Sequence, residues 1–334
     1  MRRRVCALLT KKIKKDRFMK KLAILDDYEH AALDMADWSP LRGLVDISVF
    51  HDVVKDQDSL AHRLADFEIL FLMRERTAFP ASLIERLPKL ALIVTSGMRN
   101  FAIDTAAAKA RGITVTGTPI LPYPAAEHTW SLILALAKRI PQSDAATRAG
   151  GWSAQLNLGL KDKTLGIVGL GKLGSQVARV GQAFGMRLVA WSQNLTAERC
   201  AELGVEYVSR EALFGKADFV TIHLQVGERN RGLITAADFK RMKPEAFLIN
   251  TSRGPIVDEA ALIDALESGE IAGAGLDVYD IEPLPPAHAL RRLPNTVVTP
   301  HQGYVTLENY RLFYESAVAN IEAWLQGSPI NVMG

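Results

Sequence analysis

Three residues in the second half of the chain are of types that together bind an anion and move a proton. They are Arg253 in "NTSRGPIVDE", Glu282 in "DIEPLP" and His301 in "TPHQGY". A planar guanidinium grips a carboxylate with two donors and polarises an adjacent carbonyl. An imidazole exchanges a proton near neutral pH. A neighbouring carboxylate orients that ring and favours its charged form. Each residue alone is commonplace: an arginine in a helix-end ion pair, a solvated loop acid, a packed ring. Their placement sets them apart, because each follows a short apolar run, "AFLIN", "AGLDVYD" or "NTVV". If those runs are strands of one open parallel sheet, their carboxyl ends share a rim, and such sheets bind ligands there.

The same rim is expected to carry "GIVGLGKLGSQVAR", in which Gly169, Gly171 and Gly174 form G-x-G-x-x-G between a strand and a helix. The first glycine allows the tight turn. The second lets the backbone approach a pyrophosphate seated on the helix N-terminus, and the third lets helix and strand pack closely. A hydride acceptor held there, beside an arginine, a histidine and an acid, suits oxidation of a 2-hydroxy acid. The following strand, "LVAWSQN", places Ser192 where an NAD site usually has Asp or Glu. Serine can bond a ribose hydroxyl but cannot repel a 2′-phosphate. Gln193 and Asn194 supply no cation to attract one. NAD is the expected cofactor, with NADP left open.

The elements that must position these groups can be read from periodicity. "LAILDD", "DISVF", "FEILFLM", "LALIVTSG" and "ITVTGT" are predicted strands, alternating with helical stretches such as "SLAHRLAD" and "ASLIERL". That alternation implies a parallel sheet with helices on both faces. "PAAEHTWSLILALAKRIP" is apolar almost all round and predicts a buried helix, stopped by its second proline. "TLGIVGL", "MRLVAWS", "DFVTIHL", "AFLINTS", "IAGAGLDVY" and "NTVVTPH" predict a second parallel sheet. "LENYRLFYESAVANIEAWLQG" predicts a last helix returning to the first sheet. The fold class is therefore α/β, with two doubly wound parallel-sheet domains.

Length and composition fit that reading. The chain has 334 residues, 48% hydrophobic and 23% charged, which suits two globular domains. No apolar run reaches the roughly 18 residues of a membrane span, and two cysteines make no disulfide framework, so a cytoplasmic location is expected. The net charge of +3 is local: residues 1–18 carry eight Lys/Arg and one acid, and the remainder is net negative. Neither a nucleic-acid nor a membrane partner is expected. Residues 1–18 read as a disordered extension, with Met19 as a second start. No further domain is expected after the last helix. His128 and His223 lie in apolar contexts and read as core or supporting groups. His30, His51, His62 and His288 lack ligand spacing, and no metal site or G-x-S-x-G hydrolase motif is present. Arg74 and Arg76 in "MRERT" follow a strand and could meet a second anionic group, although surface exposure is the expectation for both.

From about Met19 onward the sequence resembles the D-isomer-specific 2-hydroxyacid dehydrogenases. "GIVGLGKLGSQVA", "LINTSRGPIVDEAAL", "AGAGLDVYDIEPLP" and "NTVVTPHQGY" are similar to that family's signature segments, in its order and spacing. The resemblance implies a Rossmann dinucleotide-binding domain over 120–303. It also implies a flavodoxin-like substrate domain from 19–119 plus 304–334, an interdomain active site and a homodimer with "AATRAGGWSAQLNLGL" contributing. It implies that Arg253 holds the substrate carboxylate, His301 is the acid/base and Glu282 its partner. Cofactor contacts would fall to Gly169, Gly171, Lys172, Leu173, Gly174, Ser192, Leu224, Gln225, Thr251, Ser252, Arg253, Asp277, His301 and Gly303, with Asp277 near the nicotinamide amide. "VTSGMRNFAID" resembles the loop whose backbone amides, around Ser96 and Gly97, hold the carboxylate. Two departures are Ser192 for the ribose acid and Gln225 where the family commonly has proline. Formate dehydrogenases of this fold pair the histidine with Gln, so Glu282 argues for hydroxyacid chemistry. Hydroxypyruvate, glyoxylate, 3-phosphohydroxypyruvate and bulkier 2-keto acids all suit the trio. A dinucleotide-sensing, corepressor-like protein of the same fold is the alternative.

Overall fold

The computed structural model describes residues 19–152 and 156–333, so the expected extension over 1–18 lies outside the described residues. Two compact units divide the chain. One runs to Ile120 and resumes at Leu307; the other is continuous from Leu121 to Thr306.

The first unit is built on β1 (Lys20–Ile24), β2 (Val45–Val49), β3 (Ile69–Leu72), β4 (Leu92–Thr95) and β5 (Thr114–Gly117), all parallel, in the order β2-β1-β3-β4-β5. This is the flavodoxin-like order. β3 and β4 are buried at every position, because helices cover both faces of a parallel sheet and leave no polar side to alternate with. "SLAHRLAD" forms the helix Gln57–Leu64, started by Asp56, whose side chain accepts from Ser59 N. The long helix Leu307–Leu325 packs on β4 and buries Tyr310, Phe313, Tyr314 and Ile321. Asn320 ties it to β5, donating to Gly117 O at 2.9 Å.

The second unit holds β6 (Thr164–Val168), β7 (Arg187–Trp191), β8 (Glu206–Tyr207), β9 (Phe219–Ile222), β10 (Phe247–Asn250), β11 (Gly273–Leu276) and β12 (Thr296–Val298). Their order is β12-β11-β10-β9-β6-β7-β8, again parallel throughout. Strand order reverses at β6, which places the topological switch beside the glycine turn. Leu165 and Ile167 face one apolar core, with Trp130, Ile133 and Leu136. Val168 faces the other, with Phe214, Phe239 and Leu248. Each fully buried side chain of this size stabilises the unit by roughly 1.5–3 kcal/mol before the entropy of ordering is counted. β8 was not foreseen: its two residues are exposed and carry no apolar alternation.

One helix boundary differs from expectation. The buried helix Pro124–Ala137 ends at Lys138. Arg139 then adopts a left-handed conformation (φ 50°), and a second helix, Ile140–Arg148, begins with Pro141 in its first turn. The proline starts a helix rather than stopping one, since its missing N–H costs nothing in a first turn. No described helix is long and apolar enough to cross a membrane.

Candidate active site

In the second unit, the strand ends of β6, β10, β11 and β12 assemble one rim. β6 leads into the glycine turn. Gly169 has φ 100°, and a side chain there would stand 2.8 Å from His223 O. Gly174 lies so close to Gly169 O that a Cβ would approach it to 2.1 Å. Gly171 is the opposite case: an added Cβ would meet nothing within 4 Å. It also caps the helix Lys172–Ala183 without a side-chain hydrogen bond. The turn therefore combines two glycines required by crowding with one that faces open space, at a helix start whose first amides no cap satisfies. Lys172 is exposed and Leu173 half-buried there. A pyrophosphate fits this seat, which offers backbone donors and the positive end of the helix dipole.

Gly169 N donates to Trp191 O at 3.0 Å, so the end of β7 abuts the glycine turn and the half-buried Ser192 follows directly. Gln193 and Asn194 are exposed. Arg199 pairs with Glu202 at 2.8 Å on the helix Ala197–Glu202. Leu224 O accepts the Ser252 hydroxyl, and Gln225 O accepts from Asn230 Nδ2 at 2.7 Å.

β10 delivers Thr251, Ser252 and Arg253. Asn250 organises this segment with both ends of its amide: Oδ1 accepts from Ser252 N at 3.0 Å, and Nδ2 donates to Arg253 O at 3.0 Å. Thr251 Oγ1 lies 2.7 Å from Thr129 Oγ1. Arg253 is half-buried and extended. Gly254 then passes so near the Tyr279 carbonyl that a Cβ would stand 2.0 Å from its carbon. Only glycine permits this approach, which brings the backbone after Arg253 against the loop carrying Glu282.

Glu282 and His301 meet. His301 Nδ1 lies 2.6 Å from Glu282 Oε2, with side chains 23% and 34% exposed. The other carboxylate oxygen accepts from Tyr279 N at 3.0 Å, which fixes the acid. His301 itself is left-handed, φ 52°. That costs roughly 1–3 kcal/mol for a non-glycine residue and must be held by its surroundings. The holder is Asp277, buried at 1% exposure. Its Oδ1 accepts from Thr299 Oγ1 at 2.5 Å and Gln302 N at 2.8 Å; Oδ2 accepts from Gly303 N at 2.8 Å. His128 Nε2 comes within 3.2 Å of Oδ1. Burial pushes the Asp277 carboxyl up. Hydrogen bonds from His128 and Thr299, the charge of His128 and the Gln302 amide outweigh it, holding the group below its ordinary value. His223 is different: burial alone lowers its ring to about 4.

The first unit carries the remaining expected residues, and here the geometry departs from the sequence reading. Ser96 N donates to Leu72 O, and Gly97 N to Thr118 Oγ1, both at 3.0 Å. Both amides are spent inside the fold. The next two, on Met98 and Arg99, make no hydrogen bond among the described residues. Arg74 and Arg76 are not surface side chains, being 16% and 9% exposed. Arg76 is held by Glu29 at 2.7 Å, while the Arg74 guanidinium crowds Gly97.

Comparison with known proteins agrees with this architecture. Residues 130–303 match the family described as D-isomer specific 2-hydroxyacid dehydrogenase, NAD binding domain. The chain is 41% identical over 255 residues to a glyoxylate reductase of Aeropyrum pernix, covering 73% of this chain and 76% of that one. It is 36% identical over 307 residues to a glyoxylate reductase of Korarchaeum cryptofilum, covering 90% and 88%. A D-3-phosphoglycerate dehydrogenase of Synechocystis is 34% identical, but this chain spans only 51% of its length. Among solved structures, a phosphoglycerate oxidoreductase of Vibrio cholerae superposes with a TM-score of 0.88 at 35% identity, covering 92% of this chain and 100% of that one. With a dinucleotide turn at the switch point of one parallel sheet, and relatives of this identity and coverage, the chain belongs to the D-isomer-specific 2-hydroxyacid dehydrogenase family, oxidoreductases acting on CH–OH donors with a nicotinamide cofactor.

Proposed function

We propose that this protein interconverts a small 2-keto acid and its D-2-hydroxy acid, with His301 as acid/base, Glu282 as its partner and Arg253 on the substrate carboxylate. One observation carries the reading: the 2.6 Å Glu282–His301 contact at the strand-end rim that also bears the glycine turn. Glu282 engages Nδ1, so Nε2 is the atom left to exchange the proton. During reduction the substrate carbonyl oxygen takes that proton from Nε2; during oxidation the neutral Nε2 accepts it from the hydroxyl. Arg253 grips the carboxylate and polarises the adjacent carbonyl. The nicotinamide cofactor supplies or accepts the hydride. Its pyrophosphate would lie on Gly171, Lys172, Leu173 and Gly174, with Ser192 at the adenosine ribose and Thr251, Ser252, Asp277 and Gly303 toward the nicotinamide end.

The continuous unit serves the cofactor and the discontinuous one the substrate. In the latter, the outward amides of Met98 and Arg99 suit a carboxylate better than those of Ser96 and Gly97, which have partners already. A homodimer is supported by the helix Ile140–Arg148, which buries none of its residues, and by Trp152 and Leu156, 96% and 98% exposed. The reading is tested with a panel of 2-keto acids, each with NADH and NADPH. Turnover with at least one keto acid is expected. Cofactor binding without turnover across the panel would favour the dinucleotide-sensing alternative. NAD is the proposed cofactor, with weak discrimination. Ser192→Asp should raise the NADH-to-NADPH ratio of kcat/KM by about tenfold, through a ribose hydrogen bond and phosphate repulsion.

A further inference from the structure

We propose that His128 is a positioning residue for the proton-transfer step, fastening the 299–303 bend that presents His301. The inference rests on the reading of His301 as the acid/base.

His128 is on the buried helix Pro124–Ala137, far in sequence from the bend. Its Nε2 stands 2.9 Å from Thr299 Oγ1 and 3.2 Å from Asp277 Oδ1. The direction of these bonds follows from a proton count. Thr299 has one hydroxyl proton, and at 2.5 Å it goes to Asp277. An ionised carboxylate only accepts. Nε2 must therefore carry a proton and donate it.

Asp277 in turn binds on both sides of His301. Thr299 lies two residues before it; the amides of Gln302 and Gly303 follow immediately. His301 N completes the bend by donating to Thr299 O at 3.1 Å. The left-handed φ of 52° at His301 is thus imposed from its flanks. Packing joins the same parts. A Cβ on Gly303 would stand 3.1 Å from Asp277 Oδ2 and 3.7 Å from both Ala125 Cα and His128 Cδ2, so the bend lies directly against the helix. Without the His128 donor, Asp277 and Thr299 lose their tie to the helix. The bend can then relax toward a commoner backbone conformation, which turns the His301 ring away from Glu282.

The experiment is steady-state reduction of the best keto acid by the full-length enzyme, with cofactor affinity measured separately by NADH fluorescence. His128→Ala should lower kcat by about 30-fold, the scale expected when a reacting group is misplaced, while KM and cofactor Kd stay within about twofold. His128→Gln, which keeps a donor of similar reach, should recover activity to within about threefold of the parent. In a His301→Ala background, His128→Ala should cost less than about twofold more, because no acid/base remains to be placed. A near-parental kcat in His301→Ala alone would show that the acid/base reading has failed. With His301→Ala slowed as expected but still measurable, three results overturn the positioning role itself. They are a parental kcat in His128→Ala, an equal loss repeated in the His301→Ala background, or a loss seen only in cofactor Kd. Should His128→Ala not fold, Thr299→Val decides: about tenfold lower kcat at unchanged Kd supports the role, and a parental kcat overturns it.

Discussion

Two histidine–carboxylate pairs of the second unit, His301–Glu282 and His128–Asp277, have acids close together in the chain and are built differently. His301–Glu282 is short, 2.6 Å, and partly open to solvent on both sides. His128–Asp277 is longer, 3.2 Å, with the acid at 1% exposure and three further donors on its oxygens. A pair that must exchange protons with a substrate needs an accessible ring nitrogen and few competing bonds. A pair that holds a backbone shape needs the reverse: saturation and burial, so that each bond lost is expensive. The difference in surroundings, more than the identity of the residues, separates the two tasks proposed for them.

Breaking the open pair should have the largest effect. His301→Ala should lower kcat by about 100-fold or more while NADH still binds, read by steady-state rates and fluorescence titration. A variant with near-parental kcat would erase the contrast. Next comes the close approach that sets the open pair in place. In Gly254→Ala the new Cβ cannot coexist with the Tyr279 carbonyl carbon 2.0 Å away, so the 279–282 loop must move. A kcat loss of about 30-fold with an intact glycine turn, hence retained NADH affinity, is expected. Glu282→Gln is milder. The amide oxygen can still accept from Nδ1, but the countercharge to imidazolium is gone, so kcat for reduction should fall about tenfold.

The smallest effect sharpens the comparison from outside, through a ring with no carboxylate among its described bonds. His223 bonds Thr221 Oγ1 at 2.9 Å, and burial lowers its pKa to about 4. In the unfolded chain it titrates near 6.5. Between these values the unfolded state holds more protons, so the stability from the neutral ring is complete above about 6.5 and is lost as pH falls toward about 4. The slope contributed is at most about 1.4 kcal/mol per pH unit. Urea melts at stepped pH should show it in the parent and lose it in His223→Asn. An unchanged slope would mean that other groups set the acid limb.

The strands, the glycine turn and the strand-end positions of Arg253, Glu282 and His301 were legible in the sequence. Each is adjacent to a short Val/Ile/Leu run, and the end of a parallel strand has one destination. The saturated pair was not legible. Its surroundings draw on residues 128, 277, 299, 302 and 303, and two of the bonds to Asp277 come from backbone amides, which any residue type supplies. His128 read as a core or supporting group from its apolar neighbours; the ring is mostly covered, and the nearby acid gives it a partner. That the Ser96 and Gly97 amides have partners inside the fold was hidden for a similar reason. Whether an N–H faces outward depends on φ, 90° at Gly97, and on a hydroxyl 21 residues away, on Thr118. Ser192 is half-buried beside the glycine turn, with no basic residue at 193 or 194.

The discontinuity of the first unit has a consequence for how the protein is made. Its five strands are all translated before Ile120, yet the helix that covers β4 begins at Leu307, after the whole of the other unit. The Phe71 ring, which rests 4.9 Å from that of Tyr314 in the finished protein, spends most of translation without its cover. The continuous unit can close as soon as it clears the ribosome, whereas the earlier-made sheet must wait as a partly exposed apolar surface. Dependence on a holdase during synthesis should therefore map to residues 20–120, the part made first and finished last.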